Sequence, residues 1–162
     1  MLTIRKCETD DAKAAKEVIQ GVLALEFPAE LQAFPPSDLD DLLSSYGKLG
    51  EAFFVASENG KVIGTVGIKR EDDRVAFLRR LFVIASHRKK RVGSQLVERA
   101  VQFCREVGYD ELVFKTTSTM ESAIRLCEKK GFVQRACVDL GPIQLVKFTL
   151  YLKSDALLKK RA

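Results

Sequence analysis

Residues 81–104 read LFVIASHRKKRVGSQLVERAVQFC. The opening run Leu81-Phe82-Val83-Ile84-Ala85 is continuously apolar, the pattern of a strand buried on both faces. From Val92 the period changes. Val92, Leu96, Ala100, Val101, Cys104 and Val107 recur at three- and four-residue steps, which predicts an amphipathic helix capped by Gly108. Between strand and helix stand His87, Arg88, Lys89, Lys90 and Arg91. Cations at a helix N-terminus oppose its dipole, at about 0.3–1 kcal/mol each. A bound anion reverses the sign, because free N–H groups, dipole and basic side chains then converge on one phosphate-like group. Gly93 in the first turn leaves room for a ligand against the backbone. The plainer alternative is a solvated charged turn. Position decides for the anion site, since the carboxyl end of a sheet strand is where ligands of α/β folds collect.

Outward from this stretch, the chain alternates strand and helix signals. Leu2-Thr-Ile-Arg-Lys-Cys reads as a short strand with Leu2, Ile4 and Lys6 on one face. Thr9-Asp10-Asp11 starts a helix over 12–25, with Val18, Val22 and Leu25 in phase, and Pro28 ends it. Pro35-Pro36-Ser37 opens a second helix, capped by Ser37 or Asp38, with Leu39, Leu42 and Leu43 inward. Strands at 52–57 and 62–69 flank Asn59-Gly60, a strong hairpin signal. A strand over 74–83 follows the turn Glu71-Asp72-Asp73. After the central helix come a strand at 112–116, a helix at 120–130, and strands near 136–140 and 144–152. The order β α α β β β α β α β β predicts an α/β layered fold: a mixed, mostly antiparallel central sheet with helices on both faces.

The 162 residues suit one domain, with 153–162 as a basic C-terminal tail. Hydrophobic content of 46% and charged content of 30% are those of a globular protein. No apolar run has the length of a membrane span, and no signal-peptide core is evident, so a cytoplasmic location without membrane contact is expected. The net charge of +5 invites a nucleic-acid partner. However, the cations are scattered apart from the 88–91 block and Lys159-Lys160-Arg161. Phe27, Phe34 and Tyr46 are not interleaved with them as a stacking platform requires, so no nucleic acid is expected. The four cysteines form no C-x-x-C pair and have one histidine for company, so no metal is expected.

Three pieces together resemble the GCN5-related N-acetyltransferases. Arg88-Lys89-Lys90-Arg91-Val92-Gly93 is similar to that family's cofactor motif, Arg/Gln-x-x-Gly-x-Gly/Ala, with Arg91 where the central glycine is usual. Residues 111–132, ELVFKTTSTMESAIRLCEKKGF, resemble its fifth strand, next helix and closing Gly-Phe corner. Gly60-Lys-Val-Ile-Gly-Thr-Val-Gly-Ile resembles the turn and strand before the motif. The similarity covers about residues 2–152 and implies acetyl-CoA as cofactor. It implies that a local splay of the sheet frees Leu81, Phe82 and Val83 for the pantetheine arm. Arg88, Lys89 and Lys90, with the backbone of Arg91, Val92, Gly93 and Ser94, would cradle the pyrophosphate. Met120, Ser122 and Cys127 would line the rest.

The departures from the family pattern bear on catalysis. Where many members carry a glutamate base, this chain has Phe77; where many carry Asn and a proton-donating Tyr, it has Met120 and Cys127. A thiol is a conceivable proton donor, and Cys127 is equally readable as a small core residue. Glu26, Glu30 and Tyr46 remain as candidate bases, and Glu26, Phe27, Arg79 and Arg80 as acceptor contacts. Adjacent in a strand, Arg79 and Arg80 should face opposite sides, one binding a substrate carboxylate or phosphate if it meets the cleft and merely solvated otherwise. The leading expectation is acetyl transfer to a primary amine of a small molecule or protein, with a homodimer possible. The alternative is a weak or inactive acyl-CoA-binding regulatory module.

Overall fold

The computed structural model describes residues 1–27, 36–88 and 90–152. Pro28, Glu30, Phe34, Pro35, Lys89 and the tail 153–162 lie outside the described residues. Seven strands form one sheet: β1 (Leu2–Lys6), β2 (Ala52–Glu58), β3 (Lys61–Arg70), β4 (Val75–Val83), β5 (Glu111–Thr117), β6 (Val133–Asp139) and β7 (Gln144–Tyr151). Their order is β1-β2-β3-β4-β5-β7-β6. Every neighbouring pair is antiparallel except β4–β5. Among the described residues, four α-helices accompany them: α1 (Ala12–Glu26), α2 (Leu42–Ser45), α3 (Val92–Val107) and α4 (Glu121–Lys129). The expected order of elements is the observed one.

Two apolar clusters sandwich the sheet. On one face α3 buries Val92, Leu96, Ala100 and Cys104 against Phe54, Ile63, Leu78 and Phe114, with Cys127 of α4 beside them. On the other, Ala15, Val18, Ile19, Val22 and Leu23 of α1 meet Leu39, Leu42 and Tyr46, over Phe53 and Val55. Leu25 is 87% exposed, off the stripe it was expected to join, because Ile19 and Leu23 turn the buried face of α1 away from it. Asp41, rather than Ser37 or Asp38, caps α2, its carboxylate accepting the Ser44 N–H at 3.1 Å. Residues Pro36–Asp41 form a 3-10 turn. Asn59 and Gly60 both take positive φ, 53° and 79°, as the hairpin turn requires. Gly108 closes α3 at φ 101°. Among the described residues no helix is long and apolar enough to cross a membrane.

Candidate functional site

The site is made by a fault in the sheet. The β3–β4 register passes from Gly67 opposite Arg79 to Thr65 opposite Phe82, so Arg80 and Leu81 share one partner position. Arg80 takes φ 54°, a left-handed conformation that a side-chain-bearing residue holds only when its surroundings fix it. They do. Its carbonyl accepts from Thr65 Oγ1 at 2.7 Å. Its guanidinium meets the Asp38 carboxylate at 3.0 Å and 2.6 Å, and the Tyr46 hydroxyl donates to the same carboxylate at 2.6 Å. Burial pushes the Asp38 carboxyl up, but hydrogen bonds from Arg80 and Tyr46 outweigh it and hold the group below its ordinary value.

β4 and β5 separate at the same level. Their parallel pairing runs from Val75 opposite Glu111 to Leu78 opposite Phe114 and goes no further. Beyond it β4 keeps only β3 as a neighbour, and backbone groups on its other edge are left for something else to satisfy. The gap is a cavity of about 230 Å³. The β4 residues from Phe77 to Phe82, Arg79 and Arg80 included, line one wall, Phe114, Lys115 and Thr116 the other, with Leu23 and Met120 closing it.

A second feature follows along the chain. Residue 95 makes the first intrahelical hydrogen bond of α3, Gln95 N–H to Arg91 O at 3.0 Å, so the N–H groups of Val92, Gly93 and Ser94 have no acceptor within the helix. Arg91 sits at φ 65° immediately before them. That explains why glycine is usual at this motif position: the turn is left-handed. Arg88 donates from Nε to Val83 O at 3.1 Å, and its other edge grips both oxygens of Glu26. The Arg88 hydrogen bond holds the Glu26 carboxyl below its ordinary value, against a smaller opposing effect of burial. The guanidinium thus makes a two-point contact with a carboxylate, the geometry with which it could also take a phosphate.

Several expected residues stand elsewhere than the sequence suggests. A Cβ on Gly93 would lie 3.0 Å from Leu126 Cδ2 and 3.8 Å from Val83 Cγ2, so this glycine admits α4 against α3 rather than a ligand against the backbone. Cys127 is fully buried in the core, where burial pushes its thiol up to about 12. It does not line the cavity. Met120 does, its sulfur accepting from Thr116 Oγ1 at 3.0 Å. Ser122 is exposed in the first turn of α4. Tyr46 is no base: it is buried, hydrogen-bonded to Asp38, and pushed far above the ordinary phenol value by burial. Glu26 is committed to Arg88, and Phe27 packs beside α1 without reaching the cavity. Lys90 is exposed beside Arg88.

Arg79 and Arg80 do not face opposite sides. Asp38, the partner of Arg80, is bonded to Tyr46, whose ring lies against Gly67, the residue opposite Arg79. The bulge has turned both to the α1–α2 face, as two residues against one allows. Neither alternative in the sequence reading describes Arg80, which is buried and neutralised by Asp38. The sequence offered Asp38 only as a helix cap and gave Lys115 no role of its own within 111–132.

A sequence description of the acetyltransferase (GNAT) family matches residues 19–132. The chain belongs to the GNAT acetyltransferase family. "Probable N-acetyltransferase camello" of Xenopus laevis is 31% identical over 132 residues, 80% of this chain and 60% of that protein. The chain therefore spans about 60% of the length of that curated relative. In fold, it superposes on a GNAT-family acetyltransferase of Staphylococcus aureus Mu50 with a TM-score of 0.84 at 21% identity, covering 94% of this chain and 100% of that one. It also matches yncA of Salmonella typhimurium, solved with its cofactor acetyl-CoA, with a TM-score of 0.78 at 23% identity and 96% coverage of both chains.

Proposed function

We propose that this protein is an acetyl-CoA-dependent N-acetyltransferase that acetylates a primary amine. The observation that carries the reading is the gap opened at the Arg80 bulge, one short turn from a helix N-terminus flanked by Arg88, in a chain of the GNAT family. The residues present fit acetyl-CoA. The free edge of Leu81, Phe82 and Val83 would hold the pantetheine arm by main-chain hydrogen bonds. Arg88, with the N–H groups of Val92, Gly93 and Ser94, would hold the pyrophosphate. Bound acetyl-CoA supplies an activated thioester, whose C–S bond breaks as the C–N bond to the amine forms. Among the described residues that line the cavity none is Asp, Glu or His, and water there can carry the amine proton away. Glu26 must release Arg88 for the phosphates to bind.

Thiol release from acetyl-CoA across a panel of primary amines tests this. Turnover dependent on one amine class is expected. Tight acetyl-CoA binding with no turnover on any amine would instead mark an acyl-CoA-binding module. We also infer a reducing, cytoplasmic setting, supported by three buried free cysteines and an exposed Cys137. A homodimer through β6 is supported by that strand's exposure along its whole length. Laid antiparallel about Cys137, two copies bring Arg135 opposite Asp139 of the partner subunit, twice. Thiol-specific cross-linking of Cys137 in dilute solution should trap a dimer, and a strictly monomeric light-scattering mass would remove it.

A further inference from the structure

We infer that the acceptor is a small amine that also carries a carboxylate, and that Arg79, Lys115 and Lys147 recognise that carboxylate. The inference rests on the N-acetyltransferase reading. It begins with register. β4 and β5 pair as far as Leu78 opposite Phe114, and the next residue on each strand is a cation, Arg79 and Lys115. On the far side of β5, Lys115 stands directly opposite Lys147 of β7. Three neighbouring strands therefore present three cations at one level. All three share the face on which α1 and α2 pack, because Phe77, Val113 and Lys115 alternate in phase and Gly67, opposite Arg79, abuts Tyr46.

The fold gains little from such a row: Arg79 adds to the field that holds Asp38 ionised, and Lys115 has only an aromatic ring beneath it. Like charges directly opposite across an antiparallel pair repel. Arg79, Lys115 and Lys147 have no ion pair among the described residues, and Lys115 rests over the Phe77 ring at 4.9 Å. The contrast with Arg80, neutralised by Asp38 within the same bulge, is direct. Arg79 and Lys115 both line the cavity, on opposite walls of the gap where the acetyl group would arrive. A carboxylate set between them removes the repulsion and fixes the acceptor at one end, leaving its amine to reach the thioester. The same field favours loss of the ammonium proton from the bound amine. Size argues for a small molecule. At about 230 Å³ the cavity is below the roughly 300–1,000 Å³ of drug-sized pockets, and it must also admit the end of the cofactor.

The test compares acceptors that differ only in that group. Acetyl-CoA-dependent thiol release is measured for the proteinogenic L-amino acids, for their carboxamides and for the corresponding decarboxylated amines. The carboxylates should win in kcat/KM by about tenfold or more over the matched carboxamides, the effect of one charge-assisted hydrogen bond. In Lys115→Gln/Lys147→Gln that preference should collapse through KM for the acceptor, with KM for acetyl-CoA unchanged. The melting temperature of the same variant should hold or rise, since a repulsive pair has been removed. Equal rates for acids and amides, an undiminished preference in the double variant, or turnover confined to acidic peptides would each overturn the inference. If no amine is turned over, the transferase reading falls. The row is then decided by calorimetric titration of the same amino acids into the protein with coenzyme A. Binding weakened by the double substitution upholds it, and binding that is absent or unchanged overturns it.

Discussion

The two ends of β4 obey different rules. From Val75 to Leu78 the strand is held by β3 on one side and β5 on the other, and its side chains alternate between the two faces of the sheet. From Arg79 to Val83 only β3 remains, the alternation breaks, and two arginines turn the same way. Both border the cavity, but Arg80 is paired with Asp38 and fixes the backbone, whereas Arg79 has no ion pair among the described residues. Charge that serves the fold is paired, and charge left unpaired beside a cavity is available to a ligand. Substitutions that exchange these two conditions are the most informative.

Asp38→Ala should have the largest effect. It leaves Arg80 charged and buried without its carboxylate, a change that typically costs about 3–5 kcal/mol. Urea denaturation should show it, and Asp38→Ala/Arg80→Met should recover a substantial part, because no unpaired charge then remains. The pH dependence has a definite sign. The folded carboxyl titrates below its unfolded value, so its stabilisation is complete above about pH 4 and is lost as the pH falls through the folded value. The gap between wild type and Asp38→Ala should therefore narrow on acidification; a constant gap down to pH 2 would contradict the pairing.

Glu26→Gln comes next. It removes the carboxylate that competes with phosphate for Arg88, so acetyl-CoA should bind several-fold more tightly, as expected when a ligand no longer displaces an internal partner. Titration calorimetry reads this directly, and unchanged or weaker binding would place the pyrophosphate away from Arg88. Arg91→Gly is smaller. It relieves a left-handed arginine, roughly 1–2 kcal/mol, and removes a cation from a helix N-terminus, against the greater freedom glycine gives the unfolded chain. A net gain of about 1 kcal/mol in denaturant stability is expected, and a loss would mean that the arginine side chain holds the turn.

Much of the fold was legible because it is local. Asn59-Gly60 names its own turn, the apolar period of 92–107 names its helix, and Gly108 its end. The proposed anion site draws on the same kind of local reading, since strand, basic turn and helix are contiguous. What the sequence hid depends on distant register. Asp38 and Arg80 are 42 residues apart. The cation row draws on three strands and exists only because pairing sets Arg79, Lys115 and Lys147 level. The alternation rule failed at Arg79 and Arg80 because it assumes a regular pleat, and nothing in the local sequence announces a bulge. Gly93 was misjudged because its neighbour, Leu126, belongs to a later helix.

Cys127→Ala should have the smallest effect on turnover, and it separates the core from the site most sharply. The sequence resemblance sets this cysteine where the family's proton-donating tyrosine is expected, and a catalytic reading on that basis predicts a loss of about 10²–10⁴-fold. The geometry predicts otherwise. The thiol is wholly buried, raised to about 12 first by that burial and then by the nearby Glu128, and absent from the cavity wall. It is protonated at neutral pH but has no path to a departing thiolate, which is itself a fair leaving group. Removing the sulfur deletes about one methylene's worth of buried contact, roughly 1 kcal/mol. The variant should therefore melt somewhat lower while keeping more than about a tenth of wild-type turnover at saturating acetyl-CoA. A hundredfold loss in a variant whose melt shows it folded would mean that the cysteine has taken over the role of the tyrosine, and that α4 shifts during turnover to bring it to the thioester.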